Sequence, residues 1–239
     1  MVERKERRRF VFIVTYGRSG STLLQNLIGA IPGCHMTGEN NDALYGLYLS
    51  HAAARRARDE HGRDGRHAGS PWWGAHRIRP ARYAASLRGA FVSNILQPPP
   101  AATMVGLKEV RYFNHPDDFT GYLDFIRGVF APARFVFNSR NHDEVSRSAW
   151  YAARPPEEVL ASLRQADAMM DAYQAAHPGI CYRVHYNDYV ADRSRLRSLY
   201  AFLGAEMDEE AVRRTLATPL APMRPARRPG GTTATAPQG

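Results

Sequence analysis

The chain has 239 residues, 44% of them apolar, which suffices for a sizeable core and excludes a wholly disordered or collagen-like protein. The formal net charge is +9, from 32 basic and 23 acidic side chains. Residues 1–9 hold five basic and two acidic side chains (+3), and residues 224–239 hold three arginines and no acid (+3); the body therefore keeps +3, which argues against a surface built to coat nucleic acid.

Residues 1–9 look like the charged start of a signal peptide, but the apolar run that follows, Phe10–Val14, is too short and leads to no small-residue cleavage site. No apolar run approaches about 18 residues, so no membrane span is expected. Phe10–Thr15 is apolar and β-branched, the pattern of a strand buried on both faces. A small-residue turn, Gly17–Ser21, follows. Then Leu23, Leu24, Leu27, Ile28 and Ile31 recur at helical spacing until Pro32-Gly33 stops the helix. Residues 51–80, rich in Arg, His and Gly, read as an excursion from the core, a lid or an acceptor-binding segment. Within it Trp72 and Trp73, with Tyr45 and Tyr48 before it, are able to stack on a sugar or an aromatic ring. A helix is expected over Arg82–Leu96, a strand over Met104–Lys108 and an amphipathic helix over Phe119–Phe130. Arg134–Asn138 reads as a third strand. Asn141–Ala153 reads as a helix capped by Asn141 or Asp143, and Pro156–Ala176 as another. Cys181–His185 reads as the fourth strand, with helices over Asp192–Leu203, ending at Gly204, and Glu209–Leu216. Residues 224–239 form a basic Pro/Gly/Thr tail after a single domain spanning 1–223. Strands that alternate with helices predict an α/β fold of three layers, with a mainly parallel sheet of four to five strands. Cys34 and Cys181 are too few for a disulfide framework and lack metal-ligand spacing, which fits a reducing, cytoplasmic setting.

The strongest chemical signal is Val14-Thr-Tyr-Gly-Arg-Ser-Gly-Ser-Thr22, between a buried strand and a helix. Small residues let main-chain N–H groups wrap an anion at the helix N-terminus, with Ser21 and Thr22 able to add hydroxyls. The spacing is not GxxxxGK[ST]: Ser21 stands where the lysine of an ATP-binding loop belongs. A second signal is Arg140, just after a strand, with Ser148 eight residues on, a pair able to pinch one phosphate. Only Lys5 and Lys108 among the 32 basic residues are lysines, and Lys108 stands at the end of a short strand, where a compact point charge suits a reacting centre.

The TYGRSGSTLL segment resembles the 5′-phosphosulfate loop of the sulfotransferases that use 3′-phosphoadenosine 5′-phosphosulfate (PAPS), a loop reading approximately T-x-P-[KR]-S-G-T-T. Gly17 replaces the Pro and Ser21 a Thr. Arg140 and Ser148 match the family's 3′-phosphate motif in spacing. His185-Tyr-Asn-Asp-Tyr-Val190, ahead of Phe202-Leu-Gly204, is similar to its Y-E-D-L segment and following F-L-G. The resemblance covers about residues 10–204 and is nearest to the bacterial sulfotransferases and to tyrosylprotein enzymes with an R-S-G loop. It implies a P-loop-like fold, PAPS as sulfuryl donor without a required metal, and donor contacts from Arg18, Ser19, Gly20, Ser21, Thr22, Arg140 and Ser148. It also implies that Tyr186 lies near the adenine, although that ring is equally suited to packing. The K-x-H histidine of many cytosolic members is absent, since the matching segment reads Gly106-Leu-Lys-Glu-Val-Arg111. The tyrosylprotein and some bacterial members instead carry a G-E segment 21 residues after the loop arginine, where Gly38-Glu39 stands. Glu39 is accordingly the expected base and Lys108 the stabiliser of the transferred group. Glu109 is the competing base, but its neighbour Lys108 should point to the other face of the strand. The implied acceptor is a hydroxyl of a glycan, lipid or secondary metabolite. The rival readings are a small-molecule kinase, which lacks its loop lysine, and a nucleotide-binding module without turnover.

Overall fold

The computed structural model describes residues 8–220; the basic arm at 1–7 and the predicted tail at 224–239 lie outside the described residues. Five strands form one parallel sheet in the order β2-β3-β1-β4-β5, with β1 Arg9–Thr15, β2 Cys34–Thr37, β3 Met104–Glu109, β4 Ala133–Ser139 and β5 Cys181–His185. β1 lies at the centre, and its side chains from Phe10 to Thr15 are buried, as a doubly covered strand requires. Alternation sends Phe12 and Val14 to one face, and Val11 and Ile13 to the other. The first face carries α2 (Ala43–His61), α3 (Pro80–Phe91), α4 (Phe119–Val129) and α6 (Pro156–Ala176). The second carries α1 (Ser21–Gly29), α7 (Tyr186–Ala191), α8 (Leu196–Leu203) and α9 (Glu209–Ala217). This is the predicted three-layer α/β class.

Most predicted elements are present within a residue or two. β2 was not expected; it is a four-residue edge strand, half-buried throughout and without an apolar run. The expected excursion at 51–80 is different at its start, because residues 51–61 are the second half of α2. At a rise of about 1.5 Å per residue, His61 lies about 27 Å along the helix axis from Ala43. The chain then folds back on the helix end, where His61 stacks on Trp72 at 3.6 Å and Gly74 N–H donates to Gly65 O. The helix expected over Asn141–Ala153 is broken. α5 spans only His142–Ser146, capped by Asn141, whose side chain accepts from Glu144 N–H. A separate turn covers Ala149–Ala153. Cys34 and Cys181 are free and sit in the two edge strands. Four interstrand steps of about 4.8 Å hold them some 19 Å apart, out of disulfide range. Among the described residues no helix is long and apolar enough to cross a membrane.

Candidate active site

Ligands of open parallel sheets bind beyond the carboxyl ends of the strands, and the predicted residues lie along that edge. The loop Tyr16–Gly20 leaves β1 there. It turns through left-handed backbone at Arg18 (φ 64°) and Gly20 (φ 77°) and enters α1 at Ser21. Gly20 is required twice over: its φ is positive, and a Cβ would stand 2.0 Å from the Tyr186 ring. The loop is locked from below. Thr15 Oγ1 lies 2.7 Å from Ser19 Oγ and 2.8 Å from Asn138 O, and Asn138 Nδ2 donates to Ser19 O at 2.9 Å. The Ser19 hydroxyl is thus spent inside, and what Ser19 can offer a ligand is its main-chain N–H. Ser21 is buried and Thr22 exposed.

On the β4 side, Arg140 NH1 donates to Arg18 O at 3.2 Å, and Arg18 Nε donates to Ser148 Oγ at 2.9 Å. The structure therefore brings the loop arginine to the Arg140–Ser148 pair. Ser148 does so from beyond the end of α5 rather than from the helix the sequence predicted. The Arg140 guanidinium lies 4.5 Å over the Tyr186 ring and is held by Glu144 at 2.7 and 2.9 Å. Tyr186 opens α7 and fills the space between Gly20 and Arg140. Hydrogen bonds from Arg140 and Asn187 hold the Glu144 carboxyl below its ordinary range.

On the β3 side, register pairs Ile13 with Lys108 and Val14 with Glu109. Lys108 thus shares the α1 face and Glu109 the opposite one, as alternation predicted. Lys108, 5% exposed, donates from Nζ to Glu39 Oε1 at 2.6 Å. Glu109, 1% exposed, accepts from the main-chain N–H groups of Val110 (2.8 Å), Asn40 (3.1 Å) and Asp42 (3.3 Å). Burial alone would raise the Glu109 pKa; these donors and Arg111 outweigh it and keep the carboxyl below its ordinary value. Arg111 joins the two carboxylates, with NH1 3.2 Å from Glu39 Oε2 and 2.8 Å from Glu109 Oε1. Sequence reasoning missed Arg111. The available signal was three charges within four residues, Lys108 to Arg111, at a strand's carboxyl end.

Tyr45 and Tyr48, expected as stacking residues, have partners within the fold. Tyr45 stacks on His115 at 3.8 Å and donates to Asp118, and Tyr48 also donates to Asp118. Trp72 and Trp73 are about half exposed but belong to the far end of α2. Among the described residues no group of three or more His, Cys, Asp or Glu side chains is placed to hold a metal ion.

No curated protein matches the chain. Among solved structures, the sulfotransferase domain of the Synechococcus PCC 7002 olefin synthase is similar in fold, at 20% identity and a TM-score of 0.53, over 91% of this chain and 80% of that one. The sulfotransferase domain from the curacin biosynthetic pathway is 13% identical over 85% and 76% of the two chains, with a TM-score of 0.49. The sulfotransferase STF1 of Mycobacterium tuberculosis H37Rv is 17% identical over 88% and 71%, with a TM-score of 0.44. The profile of the sulfotransferase family matches residues 11–209, from within β1 to the first residue of α9. A match of that extent is membership: the chain belongs to the sulfotransferase family.

Proposed function

We propose that the protein transfers the sulfuryl group of PAPS to a hydroxyl acceptor, giving a sulfate ester and adenosine 3′,5′-bisphosphate. The observation that carries this reading is the meeting of five residues on the carboxyl edge: Arg18 bonds Ser148 at 2.9 Å, Arg140 bonds Arg18 O at 3.2 Å and lies 4.5 Å over the Tyr186 ring, and that ring closes on Gly20. The donor set suits a nucleotide with two separate anionic groups: loop N–H groups and the Ser21 and Thr22 hydroxyls at the start of α1, with Arg18, Arg140 and Lys108 as three cations. PAPS would supply an activated sulfuryl group on a phosphate leaving oxygen. Arg140 and Ser148 bind the 3′-phosphate, and Tyr186 gives the adenine a ring to stack on. Ser19, Gly20, Ser21 and Thr22 hold the 5′-phosphosulfate. Glu39 takes the proton of the acceptor hydroxyl. Lys108, beside Glu39, stabilises charge on the sulfuryl and leaving oxygens, as in the closely related phosphoryl transfers.

The test is thermal. Adenosine 3′,5′-bisphosphate at about 100 times its Kd stabilises the protein by about 2.7 kcal/mol, which for a chain of this size raises Tm by roughly 5–10 °C. The rise is expected in the presence of EDTA. A rise with ATP–Mg²⁺ and none with the bisphosphate would replace this reading by a kinase.

A further inference from the structure

A cavity adjoins the candidate site. It holds about 180 Å³ and lies between the carboxyl ends of β1 and β3 and the helix α6. Its walls include Tyr16, the first residue of the loop, and Val110, the residue between Glu109 and Arg111. Arg111, the next residue, pairs with Glu39 at 3.2 Å, so one residue of main chain separates the cavity wall from the side chain that holds the expected base. It lies on the sheet face opposite α1, whereas the loop leads into α1.

We infer that this cavity is the acceptor pocket and that its occupant is a small phenol carrying an anionic group. The inference rests on the sulfotransferase reading and names its substrate class. Three features carry it. The first is size: 180 Å³ is below the ~300–1,000 Å³ of pockets for drug-sized ligands, room for one six-membered ring and its substituents rather than a run of sugars. The second is wall chemistry. The rings of Tyr16, Phe113 and Tyr151 line it with Leu163 and Met169, among the polar side chains of Asn114, Ser162 and Gln165; the rings offer faces to a flat aromatic body and the polar groups partners for its substituents. The third is charge. Arg154 stands at the cavity, and its ion pair with Glu158 is long, 3.9 Å, between side chains 48% and 65% exposed. Its guanidinium is therefore available to a carboxylate. The chemistry at the other end agrees: a carboxylate base works best on an acidic hydroxyl, and phenols ionise near 10. In the transfer, the phenol oxygen bonds to sulfur and its proton passes to Glu39. The bond between sulfur and the bridging oxygen breaks, and its electron pair stays on the phosphate.

The experiment is calorimetry with 3-(4-hydroxyphenyl)propionate, its methyl ester and methyl β-glucoside, each titrated into the protein with and without adenosine 3′,5′-bisphosphate. Turnover of the same three compounds with PAPS runs in parallel. The acid is expected to bind at least fivefold more tightly than its ester, and the glucoside not at all. Arg154→Ala should erase the difference between acid and ester while leaving bisphosphate affinity unchanged. Ser162→Phe, at an exposed position of α6 that lines the cavity, should block the acid and spare the nucleotide. Preferred turnover of the glucoside, or an acid-to-ester ratio that survives Arg154→Ala, overturns the inference. Loss of bisphosphate binding with retained preference for the acid would instead strike the donor assignment and leave the pocket standing.

Discussion

Glu39→Gln and Glu109→Gln remove the same charge from two carboxylates bridged by one guanidinium, yet with Glu39 as the proposed base opposite consequences are expected. At Glu39, whose side chain is 36% exposed, the variant keeps a side-chain oxygen for Lys108 and leaves water within reach of Arg111. Breaking a buried ion pair costs about 3–5 kcal/mol; with one partner this open, about 1 kcal/mol is expected. Turnover should nonetheless fall by about 10²–10⁴, the contribution of a positioned base. Glu109 is the reverse case. Its carboxylate accepts three main-chain N–H groups and Arg111, two donors on each oxygen. A glutamine amide presents one acceptor and one donor, so two of the four donors lose their partner. At about 1.5–3 kcal/mol for a hydrogen bond to a charged group, the cost is about 3–6 kcal/mol. For a chain of this length that lowers Tm by roughly 6–24 °C. The assay is turnover of PAPS on one acceptor, normalised to the fraction that binds adenosine 3′,5′-bisphosphate, with Tm recorded for both variants. Glu39→Gln should be folded and inactive, and Glu109→Gln unstable but active per competent molecule. A fully active Glu39→Gln, beside a Glu109→Gln with wild-type Tm and no turnover, would transfer the base to Glu109 and refute the assignment.

Arg140→Ala should weaken bisphosphate binding by about 2–3 kcal/mol and Ser148→Ala by about 1 kcal/mol; calorimetry that finds both equal to wild type removes the 3′-phosphate assignment. Glu144→Gln should tighten bisphosphate binding, because the carboxylate that occupies Arg140 at 2.7 Å competes with the phosphate; unchanged or weaker binding would mean that Glu144 orients Arg140 instead. Acid should destabilise the protein through Glu109. Its folded pKa is depressed, so its contribution is complete above the ordinary carboxylate range and is lost as pH falls through the folded value. Urea midpoints measured from pH 6 to pH 3 should fall more steeply in wild type than in Glu109→Gln.

The sequence displayed those elements whose burial is two-sided or whose apolar stripe is strong. β1, β4 and β5, together with α4 and α6, are apolar at the periods their geometry demands, and their limits were readable within a residue or two. α2 escaped notice because only Leu44 and Tyr45 of its 19 residues are buried, so it carries no stripe. β2 escaped because an edge strand of Cys-His-Met-Thr has one-sided cover and no β-branched run. The break after α5 was invisible because Ala149 takes a positive φ of 51°, which alanine gives no reason to expect. Spacing singled out the loop, Arg140 and Ser148, which the structure brings together through Arg18. Alternation placed Lys108 and Glu109 on opposite faces. Alternation ends with the strand, however, and the bridge through Arg111 forms just beyond it, where only the folded turn decides what meets.

Tyr16 sits where the two proposed binding regions share one side chain. Its hydroxyl lies between the main-chain N–H of Arg140, 3.0 Å away, and the Arg140 carbonyl, 3.3 Å away, while its ring walls the cavity against α6. Burial raises its pKa well above the ordinary tyrosine value, so this tie stays neutral through the physiological range and does not respond to pH. Whatever draws the Arg140 turn toward a nucleotide therefore pulls on the cavity wall. If the nucleotide draws that turn, linkage requires that each ligand alter the other's affinity by the same factor. Tyr16→Phe keeps the ring and cuts the tether, so it separates the two equilibria: the affinity of each ligand alone is preserved, and their cooperativity disappears.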